Sequence, residues 1–375
     1  MRHVRLALLA SLLSACAPVS EPAFHENAPA ALFEDVAIAD PDEALTFART
    51  RDRLIAVREY RAGIVRGVDL GSADPATLLG ELGQEGLRDA IRHAGDGRHV
   101  EVKSSDLTMP LDLRDHHVAA ATNFPEHAGD AGVDDGPFLF AKVVQPTGPY
   151  DAIPAGEGLL DYEVEIAWVA LAPLAPGKGD SVMGMILCND VTDREMLLRH
   201  LDPWNIESGD GFTTGKSAPG YLPVGNLFVV PRDHRRFAAD LELRLFVNGA
   251  LRQRSSSREM VWDYDEIVAR AWASKDKSWQ HRGDRVSLLG DADVIRERTL
   301  ILSGTPHGTV FDGLRARHYV AGLGAWLLGG WGSPLPAHVI DSYIADAHAS
   351  RAYLQAGDHV EIHVERLGVL RNRVS

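Results

Sequence analysis

The chain has 375 residues, 45% of them hydrophobic and 24% charged, with a formal net charge of −15. This length permits two or three domains, or one large domain with a smaller attachment, and the composition permits a substantial core. The acidic balance disfavours nucleic acid and anionic lipid as partners, and two cysteines are too few for a disulfide framework.

Arg2 and Arg5 precede a short apolar stretch, Leu6 to Leu13, which closes on Leu13-Ser14-Ala15-Cys16. The stretch is too short to span a bilayer. It resembles a secretory signal ending in the lipobox of bacterial lipoproteins. The expectation is a signal peptide over 1–15, lipidation at Cys16, and an exported protein on the periplasmic side whose only membrane contact is its lipid anchor. A misassigned start would instead leave it cytoplasmic. With Cys16 lipidated, Cys188 has no disulfide partner, and its apolar run "VMGMILC" predicts a buried small hydrophobe.

Residues 16–43, rich in Ala, Pro and Glu and without periodicity, predict a tether. Residues 44–110 begin with the short strands "ALTFART", "RLIAVREY" and "GIVRGVDL". A helical stretch follows, "PATLLGELGQEGLRDAIRHAG", with Leu78, Leu79, Leu82 and Leu87 at near-helical spacing. Together they predict a small α+β N-terminal domain. The main body, 111–375, carries the strands "DYEVEIAWVAL", "LELRLFVNG", "TLILSG" and "DHVEIHVERLGVLRN". Asn248-Gly249 predicts a hairpin, because that dipeptide supplies the positive φ values of a tight turn. A helix is predicted over 258–275. The mixture lacks regular βαβ alternation and predicts an α+β fold with a large mixed sheet. The Gly-rich apolar run at 322–331 is expected as a core loop, with a lid, a dimer contact or a membrane-touching patch as alternatives.

Glu163 and Glu165 lie two apart, so on a strand they share a face. Two such carboxylates repel unless a cation or water stands between them, and for the pair alone a solvated face suffices. Asp190 follows an apolar strand and precedes Thr192-Asp193-Arg194-Glu195, a capping-box pattern that opens a helix. Turn chemistry would also account for it. Three carboxylates without a His or Cys set select a hard cation, Mg²⁺, Mn²⁺ or Ca²⁺, and the chain has neither H-E-x-x-H nor C-x-x-C to hold zinc. His116 and His117 point in opposite directions on their strand and are expected to be positional.

Six phrases then occur in order: "DYEVEIAWV", "LCNDVTDRE", "GKSAPGYLPVG", "VNGALRQ", "ILSGTPHG" and "YLQAGDHVEI". In this order the chain resembles the fumarylacetoacetate hydrolase family over roughly 111–375, with an insertion at about 313–350 outside the match. Residues 44–110 resemble that family's small N-terminal domain. The resemblance implies a large mixed-sheet, β-roll catalytic domain and a homodimer. It implies Glu163, Glu165 and Asp190 as metal ligands, with Mg²⁺, Mn²⁺ or Ca²⁺ as the cofactor. Lys216 would hold a substrate oxygen, Lys142 would be a pocket lysine, and Thr305 would sit in the turn that receives the substrate carboxylate. Gln253 would lie near the metal site's strand and, with Lys142 and Thr305, would bind substrate, and Arg194 would be structural. "NFPEHAGD" resembles the family's Asn-Tyr-x-x-His-x-x-Glu segment, which makes His127 the candidate general base and places Asp130 where the family has Glu. His307 is a weak substrate-contact candidate.

Seven residues after the metal Asp, hydrolytic members carry Gln; here Leu197 stands there and cannot hydrogen-bond water or a carbonyl. The expected activity is metal-dependent hydrolysis of a C–C bond in a 2,4-dioxo, acylpyruvate-like acid. The alternatives are a 2-oxo acid decarboxylase, tautomerase or isomerase on the same site, and a lipoprotein that binds metal and small acids without turnover.

Overall fold

The computed structural model describes residues 19, 26–29, 31–94, 98–125, 136–176, 182–290 and 293–375. A ten-stranded sheet forms its centre. Its strands run in the spatial order His99–Lys103, Ile64–Asp69, Leu54–Arg61, Ala44–Arg49, Phe228–Pro231, Met183–Asn189, Val164–Ala170, Leu300–Leu302, His116–Ala121 and Phe138–Val143. Neighbours are antiparallel except Leu300–Leu302 against His116–Ala121, so the sheet is mixed and the fold α+β as predicted. The strands of the 44–110 segment extend this same sheet, with Ala44–Arg49 pairing antiparallel to Phe228–Pro231.

The central strands Val164–Ala170 and Met183–Asn189 are buried at every position, which explains their near-continuous apolar sequences. Their register pairs Val164 with Asn189 and Ala170 with Met183. Antiparallel pairing therefore brings the residues just before the first strand beside those just after the second. Glu163 and Asp190 meet for this reason, with Glu165 opposite Cys188.

A second sheet of four antiparallel strands, ordered Ala250–Ser256, Glu242–Val247, His359–Val364 and Gly368–Arg373, packs its apolar residues into the same core. The predicted hairpin joins its first two strands, with φ of 52° at Asn248 and 80° at Gly249. Both angles lie in the left-handed region that Asn and Gly tolerate best.

Three expectations change. The helix predicted over 258–275 spans Tyr264–Ala273, preceded by a 3₁₀ turn at Ser257–Glu259. The Val261 and Trp262 backbone N–H groups donate to the Asn123 carbonyl and side chain rather than into a helix, and the Asp263 carboxylate caps the helix one residue later. Residues 31–43, read as tether, lie on the fold. Phe33 and Val36 are buried against Tyr60 and Phe246, and Val36 bridges to Tyr60. Scattered apolar anchors hold this segment, and they show no period to detect. The 322–331 run is the end of a helix, Ala316–Leu327, and the turn after it, not a core loop. It forms a hairpin with helix Leu335–Ser350, and Leu328 and Trp331 are 91% and 66% exposed. Among the described residues, no helix is long and apolar enough to cross a membrane.

Candidate metal centre

Glu163, Glu165 and Asp190 are all buried, and one oxygen from each lies within 4.8 Å of the others. Glu163 is fixed at its backbone by the Asn189 side chain (2.9 Å), and its own carbonyl accepts from the Asp190 N–H (2.9 Å). The Glu165 carboxylate accepts from the Gly304 N–H at 2.9 Å. The Thr192 hydroxyl donates to Glu163 Oε1 at 3.0 Å.

Lys216, at the end of the short helix Phe212–Lys216, bridges the cluster. Its ammonium donates to Glu163 Oε2 (2.7 Å), Asp190 Oδ2 (2.8 Å) and Thr192 Oγ1 (2.7 Å). Burial alone would lower its pKa, but the Asp190 and Glu163 carboxylates outweigh that and hold it above the ordinary lysine value. Lys142 is completely buried behind Asp190, pairing with Asp190 Oδ1 and donating to the Lys216 backbone carbonyl. Burial lowers its pKa, and neighbouring Lys216 adds to the effect although Asp190 opposes it.

Arg194 opens the helix Arg194–His200 and joins two carboxylates, Asp161 Oδ2 at 2.9 Å and Glu163 Oε1 at 2.6 Å. Burial opposes its charge, but Glu163 and Asp161 more than compensate, so it stays a cation. Asp161 is a fully buried anchor of the group. Besides Arg194, it accepts the N–H groups of Tyr162 (3.0 Å), Val310 (3.0 Å) and Phe311 (3.2 Å). Asp161, Asn189 and Thr192 escaped the sequence reading. For Asp161 a signal existed, because it shares the alternation of Glu163 and Glu165.

Gln253 and Thr305 form a clamp. Gln253 Oε1 accepts the Val164 N–H at 2.9 Å, and its Nε2 donates to Thr305 Oγ1 (2.9 Å) and the Pro306 carbonyl (2.8 Å). Thr305 donates in turn to the Val164 carbonyl at 3.0 Å. The clamp fastens the 304–306 turn to the strand that carries Glu165.

A cavity of about 790 Å³ opens over this cluster, with Glu163, Arg194, Lys216 and Thr305 in its wall. Lys142 and Gln253, expected to touch substrate, are fully buried and stand outside that wall. Their side chains point into the protein, where one supports Asp190 and the other the turn. Leu197 does line the cavity. His117 is buried and accepts the Leu300 N–H at 3.1 Å through Nδ1, as befits a positional residue. Cys188 is buried, and that burial raises its thiol pKa well above the ordinary value, so it is no nucleophile. His127, Asp130 and Cys16 lie outside the described residues.

The donor set fits a divalent cation. Four buried carboxylates (Asp161, Glu163, Glu165, Asp190) face three buried cations (Lys142, Arg194, Lys216). Burial, reinforced by Asp190 and Glu163, raises the Glu165 pKa well above the usual carboxylate range. Crowding of this kind resists ionising Glu165 unless a cation enters, and a cluster with only hard oxygen donors favours Mg²⁺, Mn²⁺ or Ca²⁺.

Known proteins resemble the chain along most of its length. Mitochondrial oxaloacetate tautomerase Fahd2a of Rattus norvegicus is 25% identical over 330 residues, covering 84% of this chain and 85% of that protein. Mitochondrial oxaloacetate tautomerase fahd2 of Xenopus laevis is 26% identical over 260 residues, covering 64% and 72%. Among solved structures, maleylpyruvate hydrolase from Sphingobium sp. SYK-6 in complex with manganese(II) ion and pyruvate superposes with a TM-score of 0.55 at 20% identity, covering 88% of this chain and 98% of that one. The 2-hydroxyhepta-2,4-diene-1,7-dioate isomerase of Mycobacterium marinum gives a TM-score of 0.51 at 19% identity over 88% of this chain and 98% of that one. These structural likenesses show a shared fold. The profile described as "Fumarylacetoacetate (FAA) hydrolase C-terminal" matches residues 116–375, and the chain belongs to the fumarylacetoacetate hydrolase family.

Proposed function

We propose that the chain is a metal-dependent hydrolase that cleaves a C–C bond in a 2,4-dioxo carboxylic acid of the acylpyruvate type. The observation that carries this reading is the buried triad Glu163, Glu165 and Asp190, gathered within 4.8 Å, with Glu163 in the wall of a cavity large enough for such an acid. Mg²⁺ or Mn²⁺ held there would act as a Lewis acid toward the 2-oxo and carboxylate oxygens.

The chain's own groups perform the remaining work. Arg194 and Thr192 lock Glu163 in place, and Gly304 does the same for Glu165. Lys216, charged and at the cavity wall, gives its three hydrogens to Glu163, Asp190 and Thr192, and one of them would turn to the oxyanion that forms when water adds to the C4 carbonyl. The family resemblance assigns His127, with Asp130 as its carboxylate, to take the proton from that water. The C3–C4 bond then breaks, its electrons pass to C3 as an enolate, and protonation there yields pyruvate and a carboxylic acid. The lipobox-like segment at Cys16 supports an exported, lipid-anchored enzyme, and the family resemblance supports a homodimer.

A second reading is favoured by Leu197, which lines the cavity where hydrolytic members carry Gln, and by the tautomerase relatives. In it the same site interconverts the keto and enol forms of a 2-oxo acid and breaks no bond. Incubating the protein with acylpyruvates and with oxaloacetate, in Mg²⁺ or Mn²⁺ and then in chelator, separates the two. Metal-dependent pyruvate release supports hydrolysis. Decay of the enol absorbance without cleavage supports tautomerisation, and metal binding without either reaction leaves a binding protein.

A further inference from the structure

We propose that the cavity selects 2-oxo acids with a long uncharged tail, such as a medium-chain or aryl acyl group, and rejects those ending in a second carboxylate. This rests on the reading of the site as one for 2-oxo acids. At about 790 Å³ the cavity is of a size that holds drug-sized ligands, far more than a four-carbon acid fills. Its polar groups are concentrated at the carboxylate cluster. Beyond them, one side is built by Leu197, Leu201 and Phe212, and the other by Leu314 just before the helical hairpin and by Leu335 and Ile340 from it.

The charges in the wall argue the same way. Its two cations among the described residues, Arg194 and Lys216, are engaged with Asp161, Glu163 and Asp190. Its remaining charged side chain away from the cluster is Asp312, an anion already paired with Arg315, which does not itself line the wall. A distal carboxylate entering this space would lose water and meet no cation in the described wall beyond the cluster, whereas each methylene of an apolar tail would gain burial. The hairpin is a built wall. Gly322 is buried against Val339, and a Cβ at position 322 would stand 2.7 Å from the Val339 backbone nitrogen, so the two helices meet without a spacer.

The test is calorimetric titration of the full chain, loaded with Mn²⁺, with straight-chain 2-oxo acids from pyruvate to 2-oxooctanoate and with 2-oxoglutarate. Affinity should rise about fourfold per added methylene until the cavity is filled, and 2-oxoglutarate should bind more weakly than 2-oxopentanoate. Leu335→Arg, at an exposed position of the hairpin that lines the cavity, should lower the ratio of 2-oxooctanoate to 2-oxoglutarate affinity at least about tenfold. Affinity that stays flat with chain length, tighter binding of 2-oxoglutarate, or an unchanged ratio in the variant would overturn the proposal. A chain-length trend without turnover of any acylpyruvate would refute the reaction and keep the tail preference, and turnover with a flat trend would do the reverse.

Discussion

Asp161→Ala is the substitution whose cost is best defined by the geometry. The wild-type carboxylate is fully buried and accepts the Arg194 Nε–H (2.9 Å) together with the backbone N–H groups of Tyr162, Val310 and Phe311. Its removal leaves Arg194 with Glu163 and strands the amides that held the 310–311 turn. Breaking a buried ion pair costs about 3–5 kcal/mol, and a stranded buried amide about 1–3 kcal/mol. Relaxation of the turn toward water would recover part of the second cost, which places the total at about 5 kcal/mol. A domain stable by about 5–15 kcal/mol would survive but with much of its margin gone. Asp161→Asn retains one acceptor oxygen and should lose roughly half as much. Urea unfolding followed by tryptophan fluorescence measures both. If Asp161→Ala unfolds within about 1 kcal/mol of wild type, Asp161 is not the anchor its contacts describe, and Arg194 is held by Glu163 alone.

Glu165→Gln and Asp190→Asn should each weaken Mn²⁺ binding at least about 100-fold by calorimetry, since even residues that only support a metal ligand cost 10–100-fold when changed. Unchanged affinity in both would remove these carboxylates from the ligand set. Burial holds the His117 pKa near 3 in the folded chain, against 6.5 for an unperturbed imidazole. The folded value is the lower one, so the unfolded state binds the extra proton. This stability is complete above pH 6.5 and is lost as pH falls below it, at about 1.4 kcal/mol per pH unit. His117→Gln, which keeps an acceptor for the Leu300 amide, should therefore show an unfolding free energy that falls less steeply between pH 6 and 4, by about one proton. Equal slopes in wild type and variant would show that His117 protonates without unfolding the chain.

The metal triad was legible because two independent regularities met. Alternation along a strand put Glu163 and Glu165 together, and the order of the surrounding phrases added Asp190. Asp161 had the same alternation, but its role depends on amides at 310 and 311, some 150 positions away, which no local pattern reveals. Lys142 and Gln253 were found as members of the site but given the wrong orientation. Sequence supplies a lysine; only the packing of strand Phe138–Val143 beside helix Phe212–Lys216 puts its ammonium behind Asp190. The 322–331 run looked like a loop for its glycines. In three dimensions Gly322 permits two helices to touch, while Gly329, at φ 130°, turns the chain beyond the first of them.

The two-residue strand Leu160–Asp161 ties the parts together. The Asp161 carboxylate receives the Val310 amide on the way into the hairpin, and the Leu160 carbonyl receives the Leu354 amide on the way out. The chain thus departs and returns over adjacent residues, and the hairpin behaves as a cassette. Exchanging it for one of another length leaves the span between its ends unchanged, and the closure cost grows only slowly with length. The carboxylates, fixed on the central strands, need not move when that happens. A replaced hairpin would therefore reshape one side of the cavity, while Leu197, Leu201 and Phe212 on the other side stay with the segments that carry Arg194 and Lys216.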